Sequence, residues 1–312
     1  MKILVTGASG LVGSAVASIG ARLGHTMIGV TGQFTGSLTG LQSRFTLNLA
    51  SAKAIDDVIH TTRPDAIINA AAISEPAACD AQPELSDALN VALPQRLAEH
   101  AREIGIRLIH LSSEQVFGGD RAPYRCGDPV APLNRYARQK VASEHAVAAA
   151  AGKLGATVRA PLLGGNSPGG RRSLHERLLA DWAAGKTARL YTDEIRQVCN
   201  ADNLAAALLE LCVRGDLSGN LHWAGTEPLS RHALAMRIRT HFRLDPTRTP
   251  VIAITRADDP AAAASRPADL SLDLAPLAGS LQTQPESFSA QLARLNVPPA
   301  LQTWANTVRL PS

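Results

Sequence analysis

Short apolar runs alternate with stretches of helical spacing along the first half of the chain. The runs have the length of buried strands, and the stretches between them are long enough to form crossover helices. The pattern predicts strands at Lys2–Thr6, Thr26–Val30, Phe45–Leu47, Ala66–Asn69, Arg107–Leu111 and Thr157–Ala160. It predicts helices at Leu11–Leu23, Ala52–His60, Leu133–Ala150 and Pro83–Glu103, the last of which contains the helix-breaking residue Pro94.

Repeated strand–helix units predict an α/β fold with a Rossmann-type doubly wound parallel sheet. Right-handed crossovers bring the carboxyl ends of the strands to one edge of such a sheet, where ligands bind. We therefore expect the chemistry of this chain at residues that directly follow its strands.

The pattern changes after Pro161, where the loop Gly164–Gly170 opens a region of mixed short elements. We predict a Rossmann domain at residues 1–160 and a smaller mixed substrate domain at 161–312, with the chain near 195–215 returning to the first domain. A run of alanines predicts a flexible surface loop at Asp258–Ser265. The other elements predicted here are helices at Ser173–Ala184, Ala201–Cys212, Ser230–Phe242 and Pro285–Leu295, and strands at Ala188–Tyr191, Asn220–Trp223 and Thr249–Ala253.

The composition excludes several classes of protein. Hydrophobic residues make up 45% of the chain and charged residues 19%, so it is neither disordered nor fibrous. Without a bilayer-length apolar run or a recognisable signal peptide, we expect a cytoplasmic protein with no membrane partner. The four cysteines are scattered, which predicts free thiols and no metal site. Charges of both signs are interleaved around a net charge of +4, which favours a small anionic ligand over nucleic acid.

The strongest local signal is the run Thr6-Gly7-Ala8-Ser9-Gly10-Leu11-Val12-Gly13, where the first strand turns into the first helix. Glycines let the backbone turn tightly and approach a pyrophosphate, and the free N–H groups of the helix start then face its charge. The spacing is GxxGxxG rather than GxGxxG. The run predicts a dinucleotide site, and because no carboxylate ends the second strand at Val30–Gln33, the cofactor is NADP or NAD with a slight preference for NADP.

Tyr136 and Lys140 lie four residues apart in a predicted helix and therefore share one face of it. A nearby ammonium group lowers the pKa of a tyrosine from its ordinary value of about 10, which suits proton exchange with a carbonyl or hydroxyl group. Ser113 follows the fifth strand, where its hydroxyl could donate a hydrogen bond to the reacting oxygen. Ser112 has the same claim on sequence alone. His110 is predicted to be a hydrogen-bonded core residue rather than a base.

These motifs, in this order and spacing, together with Asn69-Ala70-Ala71-Ala72, resemble the extended short-chain dehydrogenase/reductase family. Within it, the segment Ser112–Gly119 and the segment Arg266–Asp273 are similar to the dTDP-4-dehydrorhamnose reductase subgroup. The family resemblance covers about the first 160 residues, and the subgroup resemblance is patchy after Pro161.

The resemblance implies an NAD(P)-dependent oxidoreductase that acts on nucleotide-linked sugars. It implies that Tyr136 donates the proton, that Lys140 tunes it and holds the nicotinamide ribose, and that Ser113 orients the substrate carbonyl. Further cofactor contacts are implied for Gly7, Ser9, Gly10, Leu11, Val12, Gly13, Asn48, Leu49, Ala70, Ala71, Ala72 and Asn90.

Three departures from the family pattern bear on specificity. Asn48 replaces the Asp that contacts adenine, Glu114 and Gln115 replace an Asp-Tyr pair, and Arg159–Leu163 lacks the aromatic residue of the subgroup. The sugar therefore cannot be assumed to be the rhamnose precursor. Asp193 and Glu194 could bind a substrate hydroxyl or a cation, but we expect them in a solvated loop.

Three functions remain open on this reading. The first is reduction of a keto group on a nucleotide sugar. The second is a nucleotide-sugar epimerase or dehydratase, which recycles the hydride and keeps its cofactor. The third is a non-catalytic, NADP-binding regulatory subunit. A homodimer is possible, although no interface can be read from the sequence.

Overall fold

The computed structural model describes residues 1–275 and 277–310. Within these residues a sheet of seven parallel strands has the order β3-β2-β1-β4-β5-β6-β7. The order reverses between β1 and β4, which confirms the Rossmann-type α/β fold. The strands are β1 (Lys2–Thr6), β2 (Thr26–Thr31), β3 (Ser43–Thr46), β4 (Ala66–Asn69), β5 (Arg107–Ser113), β6 (Gly155–Ala160) and β7 (Gly219–His222).

Helices cover both faces of the sheet. Residues of α1 and α8 pack on one face, and residues of α2, α5 and α6 pack on the other. In the described part of the chain no helix is both long and apolar enough to cross a membrane. The α-helices are α1 (Leu11–Arg22), α2 (Ala52–Thr62), α3 (Pro76–Ala81), α4 (Pro83–Asp87), α5 (Leu93–Ile104), α6 (Arg135–Ala151), α7 (Leu174–Ala183), α8 (Ala201–Leu211), α9 (Arg231–His241), α10 (Pro260–Ala263), α11 (Phe288–Leu292) and α12 (Gln302–Val308).

The long helix predicted at Pro83–Glu103 is divided. A π-helical turn at Ala88–Ala92 separates α4 from α5, and Pro94 lies in the first turn of α5. Proline is tolerated in a first turn because its missing N–H group would have no intrahelical acceptor there. The division places Asn90 in the π-helical turn, a conformation that is common at functional sites.

A second apolar core lies in the C-terminal half and includes side chains from α7, α9, α11 and α12. Three short strand pairs border it: Leu163–Gly164 with Cys199–Asn200, Ile195–Arg196 with Leu229–Ser230, and Ala188–Tyr191 with Val251–Ile254. The helix predicted at Pro285–Leu295 is shorter, because the side chain of Ser287 caps α11 only one residue before Phe288.

Two further expectations need correction or remain open. The segment Asp258–Ser265, predicted as a loop, contains the helix α10 and follows a 3-10 turn at Arg256–Asp258, where Thr255 and Asp258 form a capping box. Helix α8 packs against α1, and β7 pairs with β6, so both belong to the layers of the central sheet. The division of the chain at residue 160 stays a prediction.

Candidate active site

The glycine turn lies at the carboxyl end of β1, beside the point where the strand order reverses. Gly7 has a φ of 69°, and a Cβ there would lie 2.8 Å from the backbone of Ala70 and Ala71. A Cβ on Gly13 would collide with the carbonyl oxygen of Gly7. The three segments can approach this closely only because the turn has no side chains at these positions.

The start of α1 is free to bind an anion. Gly10 is its N-cap and supplies no side-chain acceptor, and the first turn holds no acidic residue. The side chains of Leu11 and Val12 are buried in the core, so these residues can contact a ligand only through their backbone N–H groups. Ser9 is half-buried beside them. An uncapped helix start with small neighbours is a suitable site for a pyrophosphate.

The end of β4 forms the second wall of this edge. Strand pairing sets Thr6 opposite Asn69, so Ala70–Ala72 follow directly beside the glycine turn. Asn90 is fully buried, accepts a hydrogen bond from the N–H of Ile73 at 2.9 Å and donates one to its carbonyl oxygen at 2.9 Å. Asn90 therefore holds the segment that follows Ala72 and does not itself reach the surface of the cleft.

Three residues on β3 or shortly after it lie near the carboxyl ends of β2 and β3. Asn48 is exposed and accepts a hydrogen bond from the N–H of Ala50, while Leu49 packs partly into the core. Arg44 on β3 donates from Nε to the hydroxyl of Thr31 at 3.2 Å and stacks over Phe34. Strand pairing thus brings to the end of β2 an arginine that the sequence of the β2 loop lacks.

The structure separates the two serines at the end of β5. Ser112 donates a hydrogen bond to Oε1 of the buried Glu144 at 2.6 Å. The hydroxyl of Ser113 accepts a hydrogen bond from the N–H of Gln115 at 3.2 Å and lies beside the phenol of Tyr136, close enough to lower its pKa. Adjacent residues of a strand point to opposite faces, so only one of the two could meet the tyrosine.

Tyr136 and Lys140 lie on the face of α6 that meets β5, since Asn134 caps the helix and fixes its start. The ammonium of Lys140 donates to the carbonyl oxygen of Leu111 at 2.8 Å and lies 5.8 Å from the ring centroid of Tyr136. Burial lowers the pKa of Lys140 to about 8. The expected lowering of the tyrosine pKa is wrong here, because burial raises the pKa of Tyr136 to about 12. The phenol is therefore fully protonated at neutral pH.

Comparisons with known proteins show the family of this chain. A family model described as the RmlD substrate binding domain matches residues 1–297. The chain belongs to this family. Its resemblance to the dTDP-4-dehydrorhamnose reductases is confirmed by the RmlD match and by relatives of that name.

Two curated relatives of this RmlD-family chain differ in function. Methionine adenosyltransferase 2 subunit beta of Pongo abelii is 29% identical over 287 residues, covering 88% of this chain and 81% of its own. The dTDP-4-dehydrorhamnose reductase of Mycolicibacterium smegmatis is 30% identical over 250 residues, covering 79% and 71%.

Two solved structures share the RmlD fold. A hypothetical dTDP-4-dehydrorhamnose reductase from Sulfolobus tokodaii has a TM-score of 0.80 and 26% identity, covering 95% of this chain and 100% of its own. The Bacillus anthracis dTDP-4-dehydrorhamnose reductase in complex with NADP has a TM-score of 0.79 and 20% identity, covering 94% and 97%.

Glu194, which we expected in a solvated loop, lies instead in a buried cluster of charged side chains beside Ser113. Glu194 is 3% exposed and accepts hydrogen bonds from Arg266, with Arg196 at 2.9 Å and Arg231 at 4.0 Å. Burial, together with the neighbouring guanidinium groups, lowers the pKa of Arg231 to about 10. The sequence alone does not reveal this cluster, because only Arg196 is close to Glu194 along the chain and the other two arginines come from distant segments.

Glu114 adjoins this cluster, and its protonation state affects the net charge of the cluster. Its carboxyl accepts the N–H of Leu162 at 3.2 Å and lies 3.4 Å from Arg196. Burial nevertheless raises its pKa to about 8. At neutral pH Glu114 therefore keeps its proton and does not offset the three guanidinium groups around Glu194, so the cluster favours an anion.

The raised pKa of Glu114 predicts a pH-dependent loss of stability. The folded chain keeps a proton on this carboxyl that the unfolded chain releases above its ordinary pKa of 4.5. Stability is therefore lost as the pH rises from about 5 to about 8. We expect Glu114→Gln, which cannot ionise, to gain stability relative to the native chain across this range in urea unfolding. Glu84→Gln, at an exposed helix start, should show no such trend, and parallel curves for Glu114→Gln would contradict the prediction.

Proposed function

We propose that this chain is an NAD(P)H-dependent reductase of a keto group on a nucleotide-linked sugar. The observation that carries the proposal is the meeting of Ser113, Tyr136 and Lys140 at the carboxyl end of β5, along the same sheet edge as the glycine turn. Resemblance to dTDP-4-dehydrorhamnose reductases supports the reaction class. An epimerase or dehydratase uses the same residues and stays an alternative outcome of the test below.

The protonation of Tyr136 suits reduction. A phenol with a pKa of about 12 holds its proton at neutral pH and can donate it to an oxygen on which negative charge develops. Ser113, whose hydroxyl lies beside that phenol, would orient the same oxygen. The ammonium of Lys140 stabilises the tyrosinate left behind. A reduced nicotinamide supplies the hydride.

The residues at the sheet edge fit a dinucleotide. The uncapped start of α1 offers N–H groups to the pyrophosphate from the turn between Gly7 and Gly13, with Ser9 beside it. Ala70–Ala72 would line the trough, Lys140 would hold the nicotinamide ribose, and Asn48 and Leu49 lie toward the adenine end. Asn90 would act by holding the trough in place.

Arg44 supports NADP over NAD. The end of β2 holds no carboxylate that would repel a 2′-phosphate, and the guanidinium of Arg44 lies against Thr31 at that end. Arg44 donates its remaining hydrogen bond to the carbonyl oxygen of Gly36, so it can turn toward a phosphate without losing a buried ion pair. This extends the slight preference for NADP that the absence of a carboxylate indicated.

Replacing Arg44 by Ala tests this preference. Loss of a charge-assisted hydrogen bond costs about 1.5–3 kcal/mol, so we expect the Kd of NADPH to rise about 10- to 100-fold. The Kd of NADH should change little, because NADH has no 2′-phosphate. Fluorescence titration measures both constants, with Arg102→Ala at the exposed end of α5 as a matched control. An equal rise for both cofactors would contradict this role.

The reaction itself is tested with a panel of nucleotide sugars bearing keto groups. Net consumption of NADPH, matched by reduced product, supports the reductase. Isomerised or dehydrated product without loss of NADPH would replace it by the epimerase or dehydratase. Because Glu114, Gln115 and Arg159 depart from the reductase pattern, the panel should include sugars and nucleotides beyond dTDP-linked ones.

A second candidate is a non-catalytic NADP-binding regulatory subunit. The similarity to methionine adenosyltransferase 2 subunit beta over 88% of this chain favours it. In that case the chain would bind NADPH, turn over none of the sugars and co-purify with a partner enzyme. We favour the reductase because a pure binder has no need of a buried proton donor beside Ser113.

A further inference from the structure

Buried polar side chains form a continuous chain from β1 to the helix that holds Tyr136 and Lys140. Asn69 Nδ2 lies 3.1 Å from Nδ1 of His110, and His110 Nε2 lies 3.0 Å from the hydroxyl of Ser143. We call this the Asn69–His110–Ser143 chain. All three residues are at most 1% exposed, so water does not compete for these bonds. Buried histidines are costly unless both ring nitrogens are satisfied, and here both are.

The direction of every bond in this chain is fixed. Asn69 Oδ1 accepts from the hydroxyl of Thr6 at 2.6 Å and from the N–H of Ala71, so its amide NH2 must face His110. Nδ1 of His110 is then an acceptor, and Nε2 holds the proton and donates to Ser143. The hydroxyl of Ser143 donates its own hydrogen bond to the carbonyl oxygen of Lys140 at 2.8 Å. Burial and the charge of Lys140 keep the imidazole neutral by lowering its pKa well below the ordinary value.

The ends of this chain are the two parts of the candidate site. Thr6 and Ala71 flank the glycine turn and the alanine trough, whereas Ser143 lies one turn after Lys140 in α6. Apolar packing between α6 and the sheet is not directional, so it does not set a single position of the helix along the strands. Hydrogen bonds of fixed direction do set such a position.

We propose that His110 is a positioning residue, which sets Tyr136 and Lys140 at a fixed distance from the glycine turn and from a dinucleotide bound there. His110 touches neither substrate nor cofactor and acts through Ser143 and Asn69. The inference rests on the proposed function for its catalytic consequence. Displacement of a catalytic group by about 1 Å can cost about 10²-fold in rate.

Two substitutions at one position test this role. His110→Phe keeps a ring but leaves the Asn69 NH2 group without its acceptor and the Ser143 hydroxyl without its donor. His110→Gln keeps an acceptor toward Asn69 and a donor toward Ser143. We expect His110→Phe to lower kcat about 10²-fold with little change in the Kd of NADPH, and His110→Gln to restore kcat. Equal losses in both variants, or an unchanged kcat in His110→Phe, would overturn the proposal.

A second measurement does not depend on turnover. The titration of Lys140 can be followed by NMR of its side-chain carbon, assigned with Lys140→Arg. Burial sets its pKa of about 8, and a displaced α6 would change that burial, so we expect His110→Phe to move the titration midpoint and His110→Gln to leave it. An unmoved midpoint in His110→Phe overturns the inference even if no sugar is reduced.

A milder variant covers the case in which His110→Phe does not fold. Ser143→Ala removes a single hydroxyl from the end of the chain and should lower kcat and move the Lys140 midpoint in the same direction. If no sugar consumes NADPH in the native protein, the proposed function fails, and the Lys140 titration alone decides whether His110 positions α6.

Discussion

Replacing Tyr136 by Phe is expected to abolish measurable reduction while leaving the affinity for NADPH nearly intact. The substitution removes one oxygen, and with it the proton donor of the proposed reaction. General acid catalysis contributes about 10²- to 10⁴-fold, so kcat should fall by that factor. The ring still packs in the same buried position, and the glycine turn is untouched. Steady-state rates with the accepted sugar and fluorescence titration of NADPH measure the two effects separately.

Tyr124 provides the matched control. Its phenol is also buried, but it binds Asp120 and the N–H groups of Gly119 to Arg121, and it stacks on Phe117. Tyr124→Phe should therefore lower the thermal stability and keep most of the activity. Undiminished turnover in Tyr136→Phe would remove Tyr136 from the mechanism, and equal losses in the two variants would point to a general effect of losing a buried phenol.

The largest loss of stability is expected from Arg159→Met. Arg159 is 3% exposed in its side chain and forms a two-pronged ion pair with Glu144, at 2.9 and 2.7 Å. Its guanidinium also donates to the carbonyl oxygen of Cys126 and lies over the ring of Phe117. Methionine would leave the Glu144 carboxylate buried without a cation. Breaking a buried ion pair from one side costs about 3–5 kcal/mol, which urea unfolding would measure as a loss of unfolding free energy.

The double variant Arg159→Met with Glu144→Met distinguishes the contribution of the ion pair to stability from the contribution of side-chain packing. Removing both charges leaves no isolated carboxylate, so the double variant should be clearly more stable than Arg159→Met alone. Lys53→Met, which breaks an exposed pair with Asp57, should change stability little. A double variant as unstable as the single one would show that packing, rather than charge, dominates at this position.

Local patterns were sufficient to predict the sheet and the glycine turn. Apolar runs of strand length and the run from Thr6 to Gly13 depend only on neighbouring residues, and the observed strands differ from the predicted ones by a few positions. The family and the fold class are both confirmed. The long helix at Pro83–Glu103 was predicted as a unit that Pro94 could interrupt, and the structure places the interruption before that proline.

Contacts between distant segments could not be predicted in this way. Ser112 and Ser113 are equivalent in sequence, and only the position of Glu144 on α6 separates them. Glu194 was expected in solvent because its partners Arg231 and Arg266 are distant in the chain. The pKa of Tyr136 was predicted to be lowered because of one neighbour, Lys140. Burial, which depends on the whole fold, raises it instead.

Arg159 and Glu144 form a buried ion pair close to the two serines at the end of β5. Arg159 lies within β6, and its guanidinium is directed into the protein toward Glu144, which also accepts the hydroxyl of Ser112. The same carboxylate that pairs with Arg159 holds Ser112 away from Tyr136. The buried pair therefore contributes to the choice of Ser113 as the serine of the candidate site.

Strand β7 comes from a late part of the sequence, and this restricts where the protein can be divided into fragments. Its strand and the preceding α8 come from residues 201–222, yet they close the outer side of β6 and cover α1. A fragment ending at residue 160 would leave a row of unpaired backbone groups on β6 and an uncovered apolar helix, both of which promote aggregation. The N-terminal part of the sheet therefore cannot be transferred alone, and a chimaera that exchanges the C-terminal part must keep residues 201–222 from the same parent as the sheet.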